Sequence, residues 1–335
     1  MRRFVSGAAG PRLSAAERTF FAATSPFGLI LFRRNIESPD QVRALVADFH
    51  DAVGRAAPVL VDQEGGRVQR FGPPHWPKLP SARRIAAAAM REGDDIARIA
   101  GRLLAHDLHA LGVTVDCAPC LDLSIPGQSD VIGDRSFGAD PATVARLGRA
   151  LAEGLLAGGV LPVIKHVPGH GRALVDSHLA LPVVEDGVDL LAASDFAPFA
   201  ALADLPAAMT AHVVYTALDP SRPGTTSAVV IGDVIRGRIG FKGLLFSDDV
   251  SMGALEGSLG ERARRCLDAG CDVVLHCNGD FAEMEAVAAA TSVFEGEALA
   301  RAEDALAAIR PPQPADVDAL RARFEAAIAA ADGLA

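Results

Sequence analysis

Eight short apolar or β-branched runs recur along the chain with helical patterns between them. This alternation limits the fold more than any other feature. The runs are RFVSG at the start, PFGLILF (26–32), APVLVD (57–62), VTVDCAP (113–119), LPVIKH (161–166), AAMTAHVV (207–214), GLLFSD (243–248) and DVVLHC (272–277). Continuous apolar runs of this length suit strands buried on both faces. Between them, Ser38-Pro39 reads as an N-cap with proline in the first turn, opening a helix through Val53. Asp140-Pro141 opens another, which Gly158-Gly159 stops. Further helical stretches cover roughly 82–111, 188–203, 229–238, 260–269 and 281–291, and two more near the C-terminus are separated by PPQP at 311–314. Strands alternating with helices predict a (β/α)8 barrel or a doubly wound sheet. A dinucleotide-binding sheet carries GxGxxG after its first strand. The nearest glycine cluster, Glu64-Gly65-Gly66-Arg67, does not match. The expectation is an α/β fold, a single (β/α)8 barrel of the TIM type over residues 1–335. The C-terminal helices from about 296 are expected to pack on its outside.

A chain of 335 residues with half of them apolar can bury a core of that size. Its net charge of −10 argues against a nucleic-acid partner, which needs clustered Lys and Arg. The N-terminus has two arginines but lacks the apolar stretch of a signal peptide. No apolar run reaches the ~20 residues that span a bilayer. The five cysteines, 117, 120, 266, 271 and 277, are an odd set and read as reduced core thiols. Cys117 and Cys120 have CxxC spacing, but no second pair accompanies them, and a structural zinc usually takes four ligands. These features predict a cytoplasmic protein without cofactor, metal, membrane or nucleic-acid partner. Oligomeric state is not legible.

Polar residues follow six of the eight runs. Asp62-Gln63-Glu64-Gly65-Gly66-Arg67-Val68-Gln69-Arg70 follows the third. A long loop with Asp122, Asp134 and Arg135 follows the fourth. The fifth runs into Lys165-His166-Val167-Pro168-Gly169-His170, then on to Asp176 and His178. His212 and Tyr215 lie at the end of the sixth, Ser247-Asp248-Asp249 at the end of the seventh, and His276-Cys277-Asn278 at the end of the eighth. In a barrel these ends converge on the face where active sites are built. Burying so many unpaired charges for packing alone costs several kcal/mol per group. Asp249 is read as a supporting or capping residue, His276 as either a core histidine or a contact, and His170 as a turn residue.

KHVPGHG at 165–171, DSH at 176–178 and FSDD at 246–249 resemble family 3 glycoside hydrolases. DQEGGRVQRF at 62–71, GDRSF at 133–137 and MTAHVVY at 209–215 extend the resemblance in the same order over about residues 26–290. Within the family the chain is similar to single-domain bacterial β-N-acetylhexosaminidases of peptidoglycan recycling. The resemblance implies a retaining exo-β-N-acetylglucosaminidase that releases terminal GlcNAc from GlcNAc-1,6-anhydroMurNAc peptides through a covalent glycosyl-enzyme intermediate. It implies Asp248 as nucleophile, His178 as general acid/base and Asp176 as its orienting partner. It further implies that Asp62, Arg70, Arg135, Lys165 and His166 hold the sugar.

The chemistry is consistent with those roles. A carboxylate nucleophile must be ionised, and nearby cations such as Lys165 or Arg135 favour that form. A histidine titrates near neutral pH and can give a proton to a leaving oxygen, then take one from water. Glu64 is the conventional carboxyl alternative to His178, although the glycines after it also suit a turn-pinning role. No neighbouring Asp-Glu pair of the substrate-assisted kind is present. Three rivals stand beside this reading. A metal-dependent barrel hydrolase would use His166, His170, His212 and Asp248, but the early HxH such enzymes carry is missing. A non-catalytic muropeptide-binding sensor would share the fold. A phosphorolytic β-N-acetylglucosaminidase would use the same site with phosphate as acceptor.

Overall fold

The computed structural model describes residues 1–125, 127, 131–174 and 181–332. Among these, nine parallel segments form the main sheet: β1 (Arg2–Ser6), β2 (Pro26–Leu31), β3 (Val59–Val61), β4 (Val115–Asp116), β5 (Leu161–Pro162), β6 (Ile164–Val167), β7 (Ala207–Thr210), β8 (Leu244–Asp249) and β9 (Val273–His276). Their hydrogen-bonded order is β5-β4-β3-β2-β1-β9-β8-β7-β6. β5 and β6 are two pieces of one strand, separated by Val163 alone. β5 pairs with β4, and β6 pairs with β7. The sheet therefore closes on itself into an eight-stave (β/α)8 barrel of the TIM type, as the alternation predicts.

Side chains alternate across the barrel wall with the period of two that a strand imposes. Val5, Ile30, Leu60, Phe246 and Leu275 point into the lumen cluster, while Phe4, Leu29, Leu31, Val59, Val61, Leu245 and Val274 face the helices. The rings of Phe27 and Phe246 lie 5.7 Å apart. Their strands, β2 and β8, are not neighbours in the sheet, so this contact crosses the lumen. Each such side chain contributes about 1.5–3 kcal/mol by leaving water.

The helices follow the predicted caps closely. Pro39–Val53 (α2) is capped by Ser38 Oγ accepting from the Gln41 N–H. Pro141–Ala157 (α5) is capped by Asp140 accepting from the Thr143 N–H. The expected 82–111 helix is instead two, Ala82–Glu92 (α3) and Asp95–His109 (α4). The break falls at Gly93, whose φ of 91° leaves the helical region. α4 and α5 cross at glycines. A Cβ on Gly101 would sit 2.1 Å from the Leu151 carbonyl oxygen, and one on Gly154 would sit 2.1 Å from that of Arg98.

The 188–203 stretch is also interrupted, giving short helices at Val188–Ala193 (α6) and Ala197–Ala201 (α7). Arg172 reaches into that break to bond Ser194 and Asp195. The segment Val230–Arg238 winds as a π-helix. A helix missing from the sequence reading, Ala15–Thr24 (α1), carries a capping box between Ser14 and Glu17. That S-x-x-E signature was present to be read.

After Leu259–Ala269 (α8) and Phe281–Ala290 (α9) come Gly296–Ala307 (α10) and Val317–Asp332 (α11). α10 sets Ala298, Ala302 and Ala305 into the lumen cluster at the end where the strands begin. Arg301 on the same helix grips Asp272, at the start of β9. α11 packs on α3 and α4. No helix among the described residues is long and apolar enough to cross a membrane.

Candidate active site

A cleft at the ends of the strands is lined by Asp62, Arg70, Arg135, Lys165, His166 and Asp248, together with Phe32, His170, Met209, Met252 and Cys277. Lys165 and His166 lie on β6, Asp248 lies on β8, and Asp62 directly follows β3. A cis peptide bond joins Lys165 to His166. Past Asp62 the chain makes a hairpin, Gln63–Gly65 pairing with Val68–Gln69. Gly65 and Gly66 turn it at φ of 93° and 59°, and a Cβ on Gly65 would meet the Pro80 carbonyl at 2.3 Å. The DQEGGR stretch needs its glycines for this turn, which returns Arg70 towards Asp62.

The cleft's charges are paired with care, as burial demands. Lys165 Nζ lies 2.7 Å from Asp62 Oδ1 and 2.7 Å from Glu64 Oε1. Arg70 reaches Asp62 Oδ2 at 3.2 Å and stacks on the Phe32 ring, 5.0 Å from its centre. Arg135 grips Glu64 through two parallel bonds of 2.9 and 2.8 Å. Burial alone would raise the carboxyls of Asp62 and Glu64. Lys165 and Arg70 outweigh it at Asp62, as do Arg135 and Lys165 at Glu64, so both stay below the usual carboxylate range. Lys165 and Arg135 are correspondingly held cationic against burial, by Asp62 and Glu64 in turn.

Asp122 is the hub beneath His166. Its Oδ2 lies 2.6 Å from His166 Nδ1, and its Oδ1 accepts the His170 N–H at 2.6 Å. The Asp122 carboxyl is fully buried, which would raise it, yet His166 and then His170 hold it well below its ordinary value. Nδ1 therefore carries the proton donated to Asp122, and the Arg135 guanidinium approaches Nε2 at 3.4 Å. This fixes which ring face and which nitrogen His166 offers to the cleft. Burial, with His166 beside it, lowers His170 to about 4. Cys120, Asp122 and His166 bring three possible metal-ligand atoms together, but Asp122 and His166 already satisfy one another. Among the described residues, the donor set lacks the fourth ligand a structural zinc usually takes.

Asp248 is the penultimate residue of β8, half-buried, with its Oδ1 accepting the Asp249 N–H at 2.8 Å. Burial would raise its carboxyl, but His212 and then His166 outweigh that and lower it. An ionised carboxylate facing an open cleft is the state a nucleophile needs. Asp249 instead bonds Ser251 and the Cys277 N–H, the supporting role read from the sequence. His276 is a buried histidine whose Nε2 lies 3.1 Å from Glu283 Oε2.

Six sequence-selected residues thus share one cleft. Asp176 and His178 lie outside the described residues. From the sequence alone Asp122 and Phe32 have no assigned role, and Glu64 suits either an acid or a turn residue. The visible signal for Asp122 was its position after β4, amid apolar neighbours, in CLDL.

Residues 8–309 match the family described as the glycosyl hydrolase family 3 N terminal domain. The chain is 44% identical over 279 residues to a β-hexosaminidase of Alkalilimnicola ehrlichii, covering 81% of this chain and 79% of that protein. It is 43% identical over 273 residues to a β-hexosaminidase of Methylococcus capsulatus, covering 80% of each. Among solved structures it is similar to NagZ from Neisseria gonorrhoeae in complex with N-trifluoroacetyl-D-glucosamine, at 34% identity and a TM-score of 0.84. That match covers 99% of this chain and 97% of that one.

Proposed function

The chain belongs to glycosyl hydrolase family 3 and is a glycoside hydrolase of the β-N-acetylhexosaminidase type, and we propose that it removes terminal N-acetylglucosamine from peptidoglycan fragments with retention of configuration. In this reading Asp248 attacks the anomeric carbon and forms a covalent glycosyl-enzyme intermediate. Asp62, Arg70, Arg135, Lys165 and His166 bind the hydroxyls of the non-reducing sugar. His178, oriented and charged by Asp176, protonates the leaving oxygen and later activates water. The whole chain acts as one catalytic unit, since α10 and α11 both pack onto the barrel assembly. The cytoplasm is the proposed compartment, in keeping with the buried free cysteines.

The observation that carries the proposal is the convergence of Asp248, ionised and open to the cleft, with three cations fixed by buried carboxylates. The state of Glu64 adds support for a histidine acid. Its carboxylate is held by Arg135 and Lys165 and has no proton to give near neutral pH. A slow 5-fluoro- or 2-deoxy-2-fluoro-type glycoside tests the nucleophile. Intact-mass and peptide analysis is expected to find one sugar adduct, on Asp248. An adduct on another residue, or turnover with inversion by NMR of the released sugar, ends the assignment.

A further inference from the structure

A buried histidine outside the proposed sugar-binding set is wired to the strand end that carries Asp248. His212 lies two residues past β7 and is wholly buried. Its Nε2 is 3.0 Å from the carbonyl oxygen of Asp249. A carbonyl oxygen only accepts, so Nε2 carries a proton. Its Nδ1 is 2.8 Å from Thr225 Oγ1. That hydroxyl has one proton and three partners in reach: Nδ1, Thr210 Oγ1 at 2.8 Å and the Ala211 carbonyl oxygen at 3.0 Å.

With Thr210 donating to Thr225, the proton count allows two arrangements. In one, Thr225 donates to Nδ1, the ring is neutral, and the buried Ala211 carbonyl loses this donor. In the other, Thr225 donates to Ala211, Thr210 donates to Thr225, and Nδ1 itself donates to Thr225. Every acceptor in the set then has a donor, and the ring is an imidazolium. Leaving a buried acceptor unmet is costly, and a carboxylate close by favours the cation.

We propose that His212 is a positioning residue held as an imidazolium, which ties down the strand end bearing Asp248 and keeps that carboxylate ionised for attack. The proposal rests on the reading of Asp248 as nucleophile. Its electrostatic side is supported at Asp248, where burial is opposed first by His212 and next by His166. Among the described residues, the other charged or titratable groups around this set are few. The Asp249 carboxylate is occupied by Ser251 and the Cys277 N–H. The Cys271 thiol reaches the Thr225 carbonyl, and burial keeps it protonated. Lys165 and His166 act on Asp248 from β6.

The direct test is nitrogen NMR of the wild-type chain labelled with ¹⁵N-histidine. Near neutral pH one buried histidine is expected with both ring nitrogens protonated, and its signal is expected to vanish in His212→Gln. A neutral ring at His212 overturns the proposal. The kinetic test compares His212→Gln with Thr225→Val, which removes the acceptor for the Nδ1 proton. In both, the acid limb of kcat/KM is expected to move up by about one pH unit, since an Asp248 without its cation ionises later. Activity above that limb is expected to fall less than about tenfold, a split that simple loosening of the fold would not give. Unchanged acid limbs in both variants also overturn it. If His212→Gln does not fold, Thr225→Val and the wild-type spectrum still decide. A cationic His212 together with a fluorosugar label away from Asp248 would fault the nucleophile reading and leave the charge assignment standing.

Discussion

Arg135 and Glu64 meet as a parallel pair, Nε 2.9 Å from Oε2 and Nη2 2.8 Å from Oε1, with both side chains largely buried. The pair fixes one of the cations assigned to the sugar. It also commits the carboxylate that the sequence left open as a proton donor.

Glu64→Gln is expected to lower kcat/KM about a hundredfold or more, and by similar factors for aryl and alkyl N-acetylglucosaminides. Removing one partner of a buried pair leaves uncompensated charge, at a cost of about 3–5 kcal/mol. Steady-state kinetics on both substrate types checks this. A loss confined to poor leaving groups would restore Glu64 as the acid.

Asp122→Asn is expected to reduce kcat/KM by about ten- to a hundredfold and stability by about 2 kcal/mol. It weakens charge-assisted bonds that fix the tautomer of His166 and anchor the His170 backbone. Thermal melts and a Michaelis profile read the two effects separately. An unchanged KM and kcat would show that His166 needs no such support.

The pH dependence of stability has a predictable sign. Folded His170 is held at about 4 by burial and by His166, against Asp122. Unfolded, it titrates near about 6.5, so in that window the unfolded chain binds the extra proton and stability falls as pH falls. The full contribution above about pH 6.5 is on the order of 3 kcal/mol. Glu64 and Asp122 are also depressed, so their contributions persist above about pH 4 and are lost only as pH drops below it. His170→Asn is expected to flatten the fall of Tm between about pH 7 and 5 while leaving the steeper loss below about pH 4. Melts across that range decide it.

Gly154→Ala is expected to cost about 2–4 kcal/mol, because its Cβ would run into the backbone of Arg98 rather than a side chain that can turn aside. A urea midpoint shift without a change in slope checks this. The same substitution at Gly187, where nothing lies within 4 Å, is the control.

All eight staves of the barrel were legible because each is a buried apolar run. Their C-terminal limits were not. The ladder ends at Asp116 and Thr210, before the apolar character does, and the pairing of β7 with β6 shifts register between Met209 and Thr210 on the way to His212. The residues of the cleft were legible as polar groups placed where apolar strands stop, and the sugar-binding role proposed for five of them came with the family resemblance. The support network was not: it depends on which charges face one another across 71 residues, as at Glu64 and Arg135, and on the proton count around Thr225. The kink at Gly93 shows the same limit, since a glycine in an Ala-rich helical run signals weakness without stating that the helix breaks.

The joint between β5 and β6 has a consequence for how this enzyme fails. The stave they form carries Lys165 and His166, the two residues proposed to grasp substrate, and it bonds the chain leaving β4 on one side, as Lys165 does to Pro119 and Leu121, and β7 on the other. Heat, denaturant or a mutation that loosens this one stave is expected to displace both residues with it. Catalytic rate is then an early gauge of the ring coming undone, ahead of optical signals that average over the whole wall.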